Sequence, residues 1–187
     1  MNLAPREGRR RALHFASGLL GGVALLAPHE VTSVVLYALL AVALVLEGAR
    51  HASPSAQVWF DRLALGAFRP RETRRVSGPT LLALGYAVTW LAFPGPEAGA
   101  AILVTALADP AAAFAGSRIA PLGGGKTWAG TAAAFTAALV VLAALRTPWA
   151  TAAGAASAAA LAERVDWRGV DNLLLPLATA AALRLLA

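Results

Sequence analysis

Residues 1–22, MNLAPREGRRRALHFASGLLGG, set a bunch of arginines ahead of an apolar stretch. That order suits either a secretory signal peptide or the first helix of a membrane protein. The rest of the chain decides between them, because charged bunches and long uncharged stretches keep alternating to its end. Apolar segments run at roughly 12–27, 31–47, 78–93, 98–119, 130–146, 149–163 and 172–187. The first is therefore read as a transmembrane helix. It is one of about seven in an all-α, polytopic membrane protein that forms a single transmembrane domain over residues 1–187.

Composition points the same way. Of 187 residues, 58% are hydrophobic and 14% charged, more apolar than an ordinary soluble domain. Several segments fall short of the ~20 residues that typically span a bilayer, so the charge distribution is the sharper signal. With a cytoplasmic N-terminus, the cytoplasmic segments hold Arg6, Arg9, Arg10, Arg11, Arg50, Arg62, Arg69, Arg71, Arg74, Arg75, Arg118, Lys126, Arg164 and Arg168. These are 14 of the 16 Lys and Arg. Arg146 and Arg184 are left for the far side, where the C-terminus also falls. Such asymmetry follows the positive-inside rule.

Membrane topology thus accounts for the +6 net charge. Stacking aromatics are not interleaved with the basic residues, so no nucleic-acid partner is expected. The chain has no cysteine, which excludes disulfides, thiol chemistry and Cys-based metal sites. Small residues dominate several spans, as in TAAGAASAAALA (151–162), and let helix backbones approach closely in lipid. The cytoplasmic segments comprise a basic loop at 48–77, a Gly-rich loop with Lys126 at 117–129, and an acidic loop at 163–172. Within the first, AQVWFDRLALGAF (56–68) fits a short interfacial helix. No inverted repeat points to a transporter, so a small-solute carrier is the least favoured reading.

Charges at membrane depth are costly and mark function. Asp109, in VTALADPAAAFAGSR (104–118), lies about ten residues from either end of the fourth apolar segment. Pro110 disfavours a helical Asp109 and lacks an N–H, while Asp-Pro makes a good N-cap and N1 pair. The fourth span is therefore expected to break at Asp109 and to line a cavity there. The plainer alternative is that Asp109 caps a helix at the cytoplasmic surface. The stretch AERVDWRGVDNLLLP (162–176) gathers Glu163, Asp166, Asp171 and Asn172, hard oxygen ligands of the kind Mg²⁺ takes. A solvated loop with an Asp171–Asn172 helix cap would look similar.

PLGGGKTWAG (121–130) resembles a P-loop but is not one. Ala120 stands where the first glycine belongs, and membrane helices flank the stretch instead of a βαβ unit. Its chemistry still suits phosphate, since a glycine-rich turn exposes backbone N–H groups beside the Lys126 charge. Thr127 adds a hydroxyl or caps the fifth span.

Taken in order, these stretches resemble the CTP-dependent polyprenol kinases, the membrane family of dolichol kinase, phytol kinase and CTP-dependent diacylglycerol kinase. RRALHFASG (10–18) is similar to that family's Arg-Lys-x-x-His, with Arg11 for Lys and His14 in place. ETRRVSGPT (72–80) resembles its Glu followed by Ser/Thr-Gly-x-Thr. ADPAAAFAGSRIAPLGGGKTWAGT (108–131) is similar to its Gly/Ala-Asp-x-Ala-Ala…Gly-Arg…Lys-Thr-x-Glu-Gly-Ser/Thr core. AERVDWRGVDNLLLPL (162–177) resembles its Glu…Asp-Asn-Leu-x-x-Pro ending. Ala129 departs from the pattern, standing where the family carries Glu. Phosphatidate cytidylyltransferases share the central core and are the runner-up. Their continuation with Lys-Arg, Lys-Asp and a Gly-His-Gly-Gly…Asp-Arg stretch is missing here, and His14, His29 and His51 all lie in the first third of the chain.

The resemblance implies transfer of the γ-phosphoryl group of CTP to a lipid alcohol, an isoprenoid alcohol or diacylglycerol, with Mg²⁺ as cofactor and the site facing the cytoplasm. It implies that Asp109, Lys126 and Glu163 are catalytic. Lys126 and Arg118 would hold the triphosphate with Gly123, Gly124, Gly125, Thr127 and Asn172. Asp109, Glu163 and Asp171 would hold the metal, with Asn172 beside them, and Arg11, His14 and Glu72 would line the substrate entrance. For His14, a membrane-edge histidine bonded to backbone is an equal alternative.

Overall fold

The computed structural model describes residues 4–63, 76–119, 125–165 and 169–187, with side chains of the first stretch described from 8 to 59. Every regular element among them is an α-helix: α1 Ala4–Ala16, α2 Gly18–Leu26, α3 His29–Ala52, α4 Pro54–Leu63, α5 Gly78–Ala92, α6 Pro96–Ile119, α7 Trp128–Ala144, α8 Trp149–Glu163 and α9 Asp171–Leu186. Each of the seven apolar segments falls on helix, and α4 overlaps the stretch read as an interfacial helix. Two helices, α3 and α6, are long and apolar enough to cross a membrane. At 1.5 Å per residue each is about 36 Å long.

Two details differ from the sequence reading. The first apolar segment holds two helices, α1 and α2, which part at Ser17. There the Ser17 hydroxyl bonds the His14 carbonyl at 2.5 Å and meets the Tyr86 hydroxyl at 2.8 Å. A serine competing for backbone carbonyls, followed by a glycine, is a weak point in a helix. The fourth segment does not break at Asp109: α6 continues through Pro110. Proline inside a helix is tolerated where neighbouring helices enclose it, and α6 is the central helix, in contact with α1, α2, α5, α7, α8 and α9. Tertiary packing overrides the local preference of Asp-Pro.

Hydrogen bonds mark two ends of the bundle. At one end, the termini of α3 and α5 meet where Thr80 donates to Glu47 at 2.9 Å, and α5 and α9 meet where Asn172 donates to the Gly78 carbonyl at 3.4 Å. At the other, Arg184 of α9 bonds Glu97 of α6 at 3.0 Å, and Thr151 of α8 bonds the Leu186 carbonyl at 2.6 Å. Thus α3, α6 and α8 end where α5, α7 and α9 begin. Among the described residues, Lys126, Glu163, Asp171 and Asn172, from the segments before α7 and around the α8–α9 junction, are brought to that polar end.

The interior is built from small side chains. Of the 25 buried apolar residues among those described, 17 are alanine, while many of the larger apolar side chains stand outside, among them Leu19, Val34, Val45, Phe114 and Leu161. One cluster joins α6, α7, α8 and α9 through Ala108, Ala134, Ala155 and their neighbours. The other joins α2, α3, α5 and α6 around Tyr86 and Trp90. Glycines set the closest approaches. A Cβ at Gly85 would lie 2.5 Å from the Asn172 carbonyl oxygen and 3.1 Å from Leu173 Cα. One at Gly21 would lie 2.9 Å from the Gly99 carbonyl.

Gly85→Ala therefore forces α5 away from the start of α9. It should lower stability by about 1–3 kcal/mol, the usual cost of overpacking, read as a lower unfolding temperature in detergent. Gly48→Ala is the control, since nothing lies within 4 Å of the added carbon. Equal melting temperatures for the two variants would contradict the close contact.

Candidate functional site

The chain's only lysine occupies the centre of the polar end. Lys126 Nζ donates to Glu163 Oε1 at 2.7 Å and to Asp171 Oδ2 at 2.8 Å. The ammonium thus ties the segment before α7 to the last residue of α8 and the first of α9. Glu163 is buried, and its other oxygen, Oε2, has no hydrogen-bond partner among the described residues. Burial alone would lower the Lys126 pKa. The charge and hydrogen bond of Asp171, together with those of Glu163, outweigh it and hold the pKa above the ordinary lysine value.

Local sequence explains how Lys126 gets there. Thr127 is the N-cap of α7, and its hydroxyl accepts from the Gly130 N–H at 3.0 Å. This is the capping role, one of the two expected for it. Glycine at 130 lets α7 sit against α6, because a Cβ there would lie 3.0 Å from the Ala112 carbonyl. A Cβ on Gly116 would likewise lie 3.1 Å from Thr127 Oγ1. Lys126–Gly130 therefore runs beside Ala112–Gly116, about one helical turn beyond Asp109. Arg164, just past α8, covers the Trp128 ring at 4.0 Å and donates to Thr131 at 3.2 Å.

A second pairing lies deeper. His14 and Asp109 are both buried, with His14 Nδ1 3.3 Å from Asp109 Oδ2. The charges of Asp109 and Asp171 both act on His14, so the pairing and the lysine clasp belong to one polar region. Arg11, on the same helix as His14, donates to the Ala113 carbonyl of α6 at 3.2 Å. Asn172 is linked to α5 through Gly78, and its N–H bonds Asp171 Oδ1 at 3.1 Å.

The structure thus brings together His14 with Asp109, and Lys126 with Glu163, Asp171 and the neighbouring Asn172. Arg118 is exposed and rests on the Phe114 ring at 4.4 Å. Glu72, Gly123 and Gly124 lie outside the described residues, as does Asp166; Gly125 is described and exposed. Among the described residues no three His, Asp or Glu side chains gather closely enough to hold a metal ion by themselves. The donors fit a metal held in part by substrate phosphates, which is the habit of Mg²⁺. Glu163 Oε2, a buried hard oxygen without a partner, is the observation behind that fit.

Sequence reasoning missed Glu47, which it placed at the edge of a span. Glu47 Oε1 pairs with Arg50 and with His51 at 3.0 Å, and Oε2 accepts from Ser77 N–H at 3.3 Å and Thr80 at 2.9 Å. A buried carboxylate so fully bonded fixes the N-terminus of α5, and with it the Gly78 carbonyl that receives Asn172. Its signal was the Glu-x-x-Arg-His spacing, which puts three ionisable groups on one helical face. For Lys126 the overlooked signal was its being the sole lysine among 16 basic residues.

The clasp predicts a pH dependence. A lysine whose folded pKa is raised stabilises the fold fully below its ordinary value of 10.5 and loses that contribution as pH climbs through the folded value. Melting temperatures of wild type and Lys126→Met should differ by a constant amount from neutral pH up to about pH 10.5 and converge as pH rises further through the folded value. A gap that persists unchanged at high pH would contradict the clasp.

Compared with models of known protein families, with curated proteins and with solved structures, the chain matches none of them.

Proposed function

We propose that the chain is a multi-pass membrane lipid-alcohol kinase. It transfers the γ-phosphoryl group of CTP to an isoprenoid alcohol such as phytol, geranylgeraniol or a polyprenol, or to diacylglycerol. The observation that carries this reading is the meeting of three of the four family-like stretches at one end of the bundle, as His14 against Asp109 and Lys126 between Glu163 and Asp171. In this reading about seven spans cross the bilayer, the polar end and N-terminus face the cytoplasm, and the C-terminus lies on the far side. Its support is an exterior of large apolar side chains around an alanine interior. The 15- to 17-residue helices α5, α7, α8 and α9 are shorter than the ~30 Å hydrocarbon core. Local thinning of the bilayer accommodates such a mismatch.

Phosphoryl transfer asks a protein mainly for positioning and for neutralisation of developing charge. Lys126, released from one of its carboxylates, supplies a positive charge to the phosphates, with Arg118 and the glycine-rich turn beside it. Glu163 and Asp171 would hold Mg²⁺ together with the substrate phosphates, and the ion would neutralise phosphate charge there. Asp109, enclosed by helices, lies where the lipid alcohol and the nucleotide can meet.

Purified protein given γ-labelled CTP, ATP, GTP or UTP with phytol, geranylgeraniol, undecaprenol or diacylglycerol should transfer label to lipid, with CTP the preferred donor. Absence of label in every lipid would overturn the kinase. Because the central stretch is shared with phosphatidate cytidylyltransferases, release of pyrophosphate in place of CDP would point there. Asp109→Asn should reduce transfer at least about a hundredfold without lowering the melting temperature; undiminished turnover would remove Asp109 from the site.

Topology is separately testable, since the chain contains no cysteine to give background. A single cysteine at Thr147 should react with an impermeant maleimide on intact cells, and one at Ser53 only after lysis. Equal labelling of both would overturn the orientation.

A further inference from the structure

We infer that His14 Nε2 is the acceptor that holds the hydroxyl group of a lipid alcohol at this site, an inference that rests on the lipid-alcohol reading above. His14 is 7% exposed, and its Nδ1 faces Asp109 Oδ2 at 3.3 Å. Two acceptors do not face each other at that distance, and the ring also donates to the Thr105 carbonyl, so the proton sits on Nδ1, shared between the carboxylate and that carbonyl. The opposite nitrogen, Nε2, is thereby left as a lone-pair acceptor. Yet Nε2 is buried and has no hydrogen-bond partner among the described residues. A buried acceptor left unmet costs about 1–3 kcal/mol, and such groups are rare enough in folded proteins to require a reason.

The missing partner must be a donor, and a neutral one suits best. A cationic donor would be drawn to the Asp109 and Asp171 carboxylates, whose charges already act on His14. A hydroxyl matches the acceptor and adds no further charge where those of Asp109, Arg10 and Asp171 already act on the ring. Its owner arrives from the side. His14 lies on α1, which packs on α6 and α2 and parts from α2 at Ser17. The residues flanking it, Leu13 and Phe15, are 49% and 60% exposed and face outward. An amphiphile whose tail lies along this apolar surface needs only to part α1 from α6 to place its hydroxyl on Nε2. Asp109 is then a positioning residue, setting the tautomer and the ring orientation.

The probes are geranylgeraniol and its methyl ether, which keeps the tail but cannot donate. Each competes with tritiated geranylgeraniol for the full-length protein in nanodiscs. For wild type the ether should compete about tenfold less well than the alcohol, the loss of one hydrogen bond to a buried acceptor. For His14→Phe, which keeps the ring volume, the two should compete equally. A wild type indifferent to the ether, as when a water alone fills the position, overturns the inference. So does a preference that survives in His14→Phe.

Should that variant fail to fold, the ¹⁵N resonance of His14 Nε2 decides, read in a chain carrying His29→Gln and His51→Gln. It should shift with the alcohol and stay unmoved with the ether; an unmoved resonance with both overturns the inference. Label transfer without the alcohol preference would sink this site and spare the kinase. The preference without label transfer to any lipid would do the reverse.

Discussion

The ammonium of Lys126, set between Glu163 and Asp171, is the contact on which the polar end depends. Each of its partners is mostly buried, and removing one partner of a buried ion pair typically costs about 3–5 kcal/mol because the other charge is left uncompensated. The clasp joins three elements that are distant in sequence: the approach to α7, the end of α8 and the start of α9. Through Asn172 and the Gly78 carbonyl it reaches α5, and through Thr80 and Ser77 it reaches Glu47 on α3. Five of the helices are thus held at one end by a continuous series of polar contacts. Nothing comparable is needed at the other end, where an exposed Arg184–Glu97 pair and single hydroxyl bonds close the bundle.

Those contacts are possible because the helices are so narrow. Alanine and glycine leave little side chain between backbones, so α6 can touch six other helices and still bury Asp109. In lipid, apolar bulk gains nothing by moving inward, and association rests on close van der Waals contact and on polar bonds between helices. The distribution here has that character: alanine inside, larger apolar side chains outside. Of the most apolar 18 residues of α6, 56% are buried, against 11% for those of α3. The second long apolar helix therefore lies at the edge, with most of its surface turned away from the protein.

The helices were legible in the sequence because apolar runs and charged bunches alternate so cleanly. What could not be read were features set by neighbours in space. Asp-Pro at 109–110 reads locally as a helix start, yet the helices around α6 carry it straight through. Ser17-Gly18 gives no strong stop signal, yet the joint there lets Ser17 reach Tyr86. The resemblance pointed to His14, Asp109, Lys126, Glu163 and Asp171 as separate candidates in three stretches. Which of them pair was decided by helix approach, set in turn by Gly85, Gly116 and Gly130. Glu47 went unseen because its partners Ser77 and Thr80 lie about thirty residues away, beyond any periodicity.

Ala129 can now be weighed against its surroundings. A glutamate there, as in the family the chain resembles, would be the second residue of α7, two after Thr127 and three after Lys126. The lysine does not need it: one ammonium already faces two carboxylates, so the cluster carries a net negative charge without any contribution from 129. A third carboxylate in this partly buried place would add like-charge repulsion unless a cation or a phosphate-bound metal absorbed it. Under the kinase reading, alanine at 129 therefore subtracts from metal binding and leaves the lysine's neutralisation intact. The oxygen best placed to make up the difference is Glu163 Oε2. It is already buried, already beside Lys126, and without a hydrogen-bond partner among the described residues.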